Sequence, residues 1–407
     1  MKLEVVVISK EIIKPRHGQE HLRHYQLSFL DQVSPMVYNP MVLFYSCDGT
    51  TQFNRSSISK RLKKSLSDVL THFYPLAGRV VNGYIDCNDE GIPYLEAKVK
   101  CKVVDVIHKP VPGELNNLVP FLLDDITNIT FGVQLNVFDC GGIAIGACLS
   151  HQIADGLSFL TFLNSWAAIS REHTAILPNP QFISANLFPP KNISGFDPQS
   201  GIIKENIICK MFVFDGSAVE NLRARYADTP SFENEKRPTR VEALSAFIWS
   251  RYVAVTRDHC GPQRTYAVIH AVNLRPKMEP PLPPHSFGNY YRISMTIPIP
   301  GEESHDLVKQ LRDQINKIDK DFVRKLQDGN EHLDFLKDSS YRVFPLYDAD
   351  FGWGKPTWVG SPALTFQNLV VFIDTKNGDG IEAYVSLKVD DMTKFEADEE
   401  LLAYVNR

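Results

Sequence analysis

The apolar positions along this chain change period several times, and each change predicts an element. Between residues 54 and 74, Ile58, Leu62, Leu66, Val69, Leu70 and Phe73 recur at helical spacing, with Ser56 or Ser57 as a cap and Pro75 as a stop. Gly142 to Ser150 is a continuous apolar run of strand length, which suits a strand buried on both faces. It leads directly into His151. From Asp155 onward Leu157, Leu160, Leu163, Trp166 and Ala167 return to helical spacing, so this helix should pack its stripe on that strand. Further along, the pattern predicts a strand over Ile207 to Phe214, a helix over Ala218 to Arg225, a longer helix over 240–257 and a strand over Thr265 to Leu274. One amphipathic helix is expected over 303–327, with Leu307, Leu311, Ile315, Ile318 and Phe322 on its apolar face. Two late strands, Leu369 to Asp374 and Glu382 to Leu387, flank the hairpin signal Thr-Lys-Asn-Gly-Asp-Gly. Strands and helices alternate without an internal repeat, which predicts two α/β halves with mixed sheets.

The 407 residues exceed one ordinary core and fit two domains of roughly 100–200 residues each. Between Leu177 and Ser200, Pro178, Pro180, Pro189, Pro190 and Pro198 are interleaved with Asn, Ser and Gly, which marks a linker. The expected organisation is an N-terminal domain over 1–180, a linker over 181–205 and a C-terminal domain over 206–407. Hydrophobic content of 43% and charged content of 22% exclude a disordered chain, a collagen, a coiled coil and a disulfide scaffold. A net charge of −5 leaves no basic footprint for nucleic acid. Seven cysteines without a Cys-x-x-Cys pair, several inside apolar runs, read as buried free thiols in a reducing compartment. The apolar run Val5 to Ile8 is too short for a signal peptide, and no stretch approaches the roughly 18 apolar residues of a membrane span. The sequons at Asn54, Asn128 and Asn192 therefore read as chance matches, and a cytoplasmic protein is expected.

Candidate chemistry concentrates in two segments. In His-Gln-Ile-Ala-Asp-Gly (151–156), a histidine follows a strand and precedes a helix, a rigid setting for a general base that titrates near neutral pH. Asp155 either caps the helix or orients a partner. Average residue usage yields about one His-x-x-x-Asp by chance in a chain with 12 His, so the pattern alone is weak. In Asp-Phe-Gly-Trp-Gly-Lys-Pro (350–356), two glycines around Trp353 describe a tight structural turn better than a reactive site. No Gly-x-Ser-x-Gly elbow, His-Glu-x-x-His or Walker loop occurs, and no Gly-rich loop or His-Arg-Asp accompanies Asp-Phe-Gly to support a kinase.

Taken together and in order, these two segments change the picture. With THFYPLAGR (71–79), CNDEGIPYLEA (87–97), AVNLRPKM (271–278), FGN (287–289) and NGDGIEAYVSL (377–387), the chain resembles the plant acyl-CoA-dependent BAHD acyltransferases over its whole length, nearest to their alkaloid acetyltransferase branch. The resemblance implies two chloramphenicol-acetyltransferase-like domains with mixed β-sheets flanked by helices and a channel at their interface. It implies a monomer with no permanently bound cofactor, acetyl-CoA as co-substrate, and a small-molecule alcohol such as a monoterpene indole alkaloid as acceptor. His151 matches the family's general base. Asp155 matches a structural residue that pairs with an arginine, here Arg275, and Gly156, Asp350, Gly352, Trp353 and Gly354 are likewise structural by this match. Thr239, Arg240 and Asn289 match residues expected to contact CoA, the first two at a helix start where phosphate binds readily. Relatives commonly carry a Thr-Ser-Trp run whose Trp is proposed to steady the oxyanion; here Ser339, Ser340 and Tyr341 stand in its place. A phenol still donates a hydrogen bond, so Tyr341 is expected to take that role. Two alternatives stay open: a BAHD transferase using malonyl-, benzoyl- or hydroxycinnamoyl-CoA, and a repurposed non-acylating cyclase or binding protein on the same fold.

Overall fold

All eight residues of the strand Ile143–Ser150 are buried, inside a six-stranded sheet of mixed direction. The structure, a computed structural model, describes residues 1–18, 23–46, 55–172, 179–194, 206–228, 235–260, 266–298, 304–328, 346–364 and 366–405. The sheet runs in the order Val5–Ile13, Ile92–Val99, Phe131–Phe138, Ile143–Ser150, Tyr38–Tyr45 and Trp358–Gly360. Ile92–Val99 and Phe131–Phe138 pair in parallel, and the other neighbours are antiparallel. Two helices lie against one another beside it, Arg55–His72 and Gly156–Ser170. Trp166 is fully buried between them, and its Nε1–H donates to Ser65 Oγ at 3.0 Å. Phe162 meets Phe73 and Phe131 edge-on, with centroids 5.2 and 4.7 Å away. The predicted helix over 54–74 and the buried strand thus form where the periodicity placed them.

Contacts divide the chain into two units. Unit 1 comprises Met1–Ser200, Leu282–Tyr290 and Pro345–Leu364; unit 2 comprises Gly201–Pro281, Tyr291–Phe344 and Thr365–Arg407. This differs from the contiguous halves expected from the proline-rich stretch. Of the expected linker over 181–205, residues 181–194 are packed into unit 1. Gln181 bridges Ser286, the helix Ser184–Leu187 follows, and Phe29 N–H donates to Phe188 O at 2.9 Å. Proline and asparagine marked the stretch as irregular, but tertiary hydrogen bonds hold irregular backbone as firmly as regular backbone. Residues 195–205 lie outside the described residues. The Asp-Phe-Gly-Trp-Gly segment, expected in the C-terminal domain, belongs to unit 1 because Trp358–Gly360 completes that unit's sheet beside Tyr38–Tyr45.

Unit 2 holds an antiparallel sheet, Leu369–Asp374, Ile381–Lys388 and Ile207–Phe214, and a two-stranded pair, Val268–Asn273 with Tyr291–Thr296. Its core joins Phe214 and Phe372 from the sheet to Leu222 of helix Gly216–Ala227, Phe247 of helix Arg240–Cys260 and Leu311. The single helix expected over 303–327 is two, Ser304–Asn316 and Lys320–Asp328. Ile318 N–H bonds the carbonyl of Ile315, tightening the last turn, and the Asp319 carboxylate accepts from Phe322 N–H at 2.8 Å to cap the next helix. The apolar period runs through this break, so periodicity alone could not show it. Cys87, Cys101, Cys140, Cys148 and Cys209 are free. Cys87, Cys148 and Cys209 are buried as expected, but Cys140 is exposed in the turn before Ile143–Ser150. No described helix is long and apolar enough to cross a membrane.

One position in the central strand gives a direct test of this packing. A Cβ at Gly146 would lie 1.9 Å from Leu118 O, a carbonyl that Asn136 Nδ2 already holds at 2.8 Å. Overpacking of this kind costs about 1–3 kcal/mol, and each kcal/mol moves the melting midpoint of such a unit by about 2–4 °C. Gly146→Ala is expected to lower the midpoint by roughly 3–10 °C in a thermal melt followed by circular dichroism. Gly113→Ala, whose Cβ meets nothing within 4 Å, should stay within about 2 °C of wild type. Equal midpoints for the two variants would contradict the packing described here.

Candidate active site

His151 leaves the sheet at the end of Ile143–Ser150, and its position follows from strand register. Tyr38 pairs with Ser150, so the next residue meets the carbonyl before Tyr38, and His151 N–H donates to Val37 O at 2.9 Å. Its side chain is partly exposed. Asp155 caps the helix Gly156–Ser170 with an extended backbone (φ −83°, ψ 175°), and Oδ1 accepts from Ser158 N–H at 2.9 Å. Its second oxygen accepts Tyr290 N–H at 3.1 Å, and its own N–H donates to Gly288 O at 3.3 Å. Ser158 Oγ adds two 3.1 Å bonds to Gly288, one to the carbonyl and one from the N–H. The start of this helix therefore holds the segment Leu282–Tyr290 by four hydrogen bonds. Phe287 anchors the segment further against Phe73 and Phe182, with centroids 5.7 and 5.4 Å away. Gly288 has φ +141°, and a Cβ there would sit 3.0 Å from Ser184 Cβ, so glycine suits both its conformation and its surroundings.

These constraints place Asn289 beside His151. Asn289 is fully buried. Its Nδ2 donates to His151 O at 2.8 Å and to Asp31 Oδ1 at 2.9 Å, and its Oδ1 lies 3.2 Å from His151 Nδ1. Every polar atom of the Asn289 side chain thus has a partner inside unit 1, which makes it a neighbour of the imidazole. Asp31 is 1% exposed, and among the described residues no ion pair involves it. Its oxygens accept from Ser28 N–H at 2.8 Å, Ser28 Oγ–H at 2.6 Å and Asn289 N–H at 3.1 Å. Burial pushes the Asp31 carboxyl up to about 6 against the pull of these hydrogen bonds. Burial also lowers the His151 pKa below its ordinary 6.5, opposed by a hydrogen bond within its own residue, the Asp155 charge and Asn289.

The other expected residues divide between the two units. Thr239 and Arg240 open the helix Arg240–Cys260 of unit 2, as their spacing placed them. Thr239 N–H donates to Glu242 Oε2 at 2.8 Å while Glu242 N–H donates back to Thr239 Oγ1 at 3.2 Å, a capping box. Arg240 pairs with Asp374 at 2.9 Å and donates to Gly378 O at 2.7 Å. Arg275 is buried in unit 2 at the start of a short 3-10 turn, with its N–H on Asn273 Oδ1 at 3.0 Å. Asp350 accepts from Gly352 N–H and Gly354 N–H at 2.8 and 2.9 Å and pairs with Arg171 at 3.3 Å. Burial would raise its pKa, but these partners hold it below the ordinary carboxylate value. Phe351 stacks on Trp353 and meets Trp166 edge-on, which makes the segment a braced turn. Arg171 ends the 15-residue helix that Asp155 begins, so about 22 Å of helix separates this turn from the His151 end. Tyr341, with Ser339 and Ser340, lies outside the described residues.

The reading of the sequence passed over Asp31, Ser28 and Ser184. The pair Ser28-x-x-Asp31 is legible as a capping box, and the structure shows one at the helix Phe29–Gln32. Nothing in its spacing points to His151.

Three comparisons bear on this geometry. The model of the Transferase family matches residues 3–402. Stemmadenine O-acetyltransferase of Catharanthus roseus is 37% identical over 418 residues, covering 98% of this chain and 97% of that protein. Vinorine synthase of Rauvolfia serpentina is 36% identical over 420 residues, with 98% and 97% covered. Among solved structures, vinorine synthase superposes with a TM-score of 0.85 at 34% identity, covering 99% of each chain. TRI101 of F. sporotrichioides, complexed with coenzyme A and T-2, superposes with a TM-score of 0.71 at 20% identity, covering 94% of this chain and 99% of that one, and shares the chloramphenicol-acetyltransferase-like fold. A match over nearly the whole length, with His151 and its neighbours built as described, leaves one conclusion: the chain belongs to the Transferase family, the BAHD acyltransferases, and is an acyltransferase.

Proposed function

We propose that this protein transfers an acetyl group from acetyl-CoA to a hydroxyl of a small plant specialised metabolite, such as a monoterpene indole alkaloid, with His151 as the general base. The observation that carries the reading is an imidazole at a strand end, held against Asn289 at 3.2 Å. The relative from Catharanthus roseus is an O-acetyltransferase, which supports acetyl as the acyl group. In the reaction, His151 takes the proton of the acceptor hydroxyl as its oxygen bonds to the thioester carbonyl carbon. The resulting tetrahedral species collapses by breaking the C–S bond, and His151 returns the proton to the departing CoA thiolate. An ester and free CoA result, with no acyl group on the protein. General-base help of this kind contributes about 10²–10⁴-fold.

Thr239 and Arg240 are the residues proposed to meet CoA phosphates, because a helix start offers N–H groups and a positive dipole end beside a guanidinium. Glu242, in the same turn, is tied to Arg312 at 2.9 Å, which offsets its charge.

Three outcomes test this reading. His151→Ala is expected to lower acetyl transfer at least about 10²-fold while leaving the melting midpoint within about 2 °C; near-wild-type release of free CoA from acetyl-CoA and a panel of alkaloid and terpenoid alcohols would sink it. The base works deprotonated and burial lowers its pKa, so activity should persist into mild acid. The acid limb of kcat/KM should have its midpoint below the ordinary imidazole value of 6.5, and a midpoint above that value would count against His151. Arg240→Ala should raise KM for acetyl-CoA about tenfold with KM for the alcohol unchanged. An unaltered KM for acetyl-CoA would remove Arg240 from the site.

A further inference from the structure

An asparagine side chain has nearly the same shape in its two flipped orientations, yet the two instruct a neighbouring histidine oppositely. With Oδ1 toward His151 Nδ1, the imidazole must carry its proton on Nδ1, and Nε2 keeps the lone pair. With Nδ2 there instead, Nδ1 must accept, the proton moves to Nε2, and that nitrogen can no longer take a proton from an alcohol. The orientation of Asn289 therefore bears on whether His151 can act as a base through Nε2, beside the hydrogen bonds the ring makes to the backbone of its own residue and of Ala154.

Two acceptors decide it. Nδ2 lies 2.9 Å from Asp31 Oδ1 and 2.8 Å from His151 O, so a flip would turn both contacts into buried oxygen–oxygen pairs. His151 O belongs to the backbone; the carboxylate is a dedicated acceptor. Its Oδ1 also takes Asn289 N–H at 3.1 Å, and its Oδ2 takes Ser28 N–H, Ser28 Oγ–H and, at 3.4 Å, Ser184 Oγ–H. Behind it, Tyr25 OH and Ser184 Oγ are 2.9 Å apart, and Ser184 can accept from the phenol while donating to Asp31. The carboxylate thus faces donors on every side and has no orientation in which it donates. Capping a four-residue helix does not need this, because a serine or an asparagine caps as well without a buried charge.

We infer that Asp31 is the positioning residue that sets the tautomer of His151: by accepting from Asn289 Nδ2 it fixes which end of the amide faces the imidazole, keeps the ring proton on Nδ1 and reserves Nε2 for the acceptor hydroxyl. The inference rests on His151 being the base. It differs from that reading in naming the nitrogen and the residue, two positions removed, that selects it. An asparagine in place of Asp31 cannot do this. It must turn its oxygen toward Ser28 or toward Asn289, and whichever side receives its NH₂ group meets a donor.

The test is nuclear magnetic resonance of full-length protein carrying ¹⁵N-histidine, with the His151 ring signals identified by their loss in His151→Gln. Wild type should show Nδ1 as the protonated ring nitrogen at neutral pH. Asp31→Asn should show the reverse tautomer or a mixture, with kcat lowered about 10- to 10³-fold, a smaller loss than the roughly 10⁴-fold of a fully wrong tautomer elsewhere because His151 O still attracts Nδ2. KM for both substrates should stay within about twofold, since the network stabilises the base and not the ground-state complex. Wild-type signals with the proton on Nε2, or an Asp31→Asn spectrum that keeps it on Nδ1, would overturn the inference. Should Asp31→Asn fail to fold, Asn289→Leu removes the amide without adding charge and must give a mixed tautomer; an unchanged Nδ1–H signal there is equally decisive. The spectra do not depend on turnover, so a base-free mechanism would appear as an active His151→Ala, while failure of the tautomer lock would appear only in the ring signals.

Discussion

Asp155 divides its two carboxylate oxygens between its own helix and a segment from far along the chain, and the site depends on that division. One oxygen stops the helix Gly156–Ser170 from fraying at Ser158; the other fixes Tyr290 N–H. Between them, Ser158 and Gly288 exchange hydrogen bonds, so the residue between Gly288 and Tyr290 has little freedom. That residue is Asn289, and it stands against His151. Removing a buried acceptor with two N–H partners leaves donors unsatisfied at about 1–3 kcal/mol each, and here the loss would also release the geometry around His151.

The electrostatics around His151 run on hydrogen bonds. Burial lowers the imidazole pKa, and the donors around Asp31 oppose the rise that burial gives its carboxyl. Such an arrangement gives no sign in the composition. The net charge of −5 and the ordinary charged fraction describe the surface, while the groups that matter number a handful and are buried.

Much of the fold was legible because local pattern and tertiary environment agreed. The run Ile143–Ser150 is apolar at every position and buried at every position. The helix stripe from Leu157 to Ala167 ended at a cap that could be named beforehand. The pattern was misleading where period and environment separate: the apolar face over 303–327 continues through a break made by Asp319, and the prolines of 181–194 signal irregular backbone that is nonetheless packed. Asn289 and His151 were each singled out, but their contact was not, since an amide and an imidazole separated by more than a hundred residues share no spacing.

The sequence by itself determined the class of elements, the order of the family segments and the place of His151 between a strand and a helix, because period, capping and strand-to-helix transitions are local and motif order survives divergence. Only the tertiary structure decided that Leu282–Tyr290 and Pro345–Leu364 belong with the N-terminal chain, and that Asp31, Asn289 and His151 form one buried line of hydrogen bonds. The physical reason is range. Periodicity reports which face of an element is covered, but hydrogen bonds between side chains of different elements require distances that only the folded backbone sets.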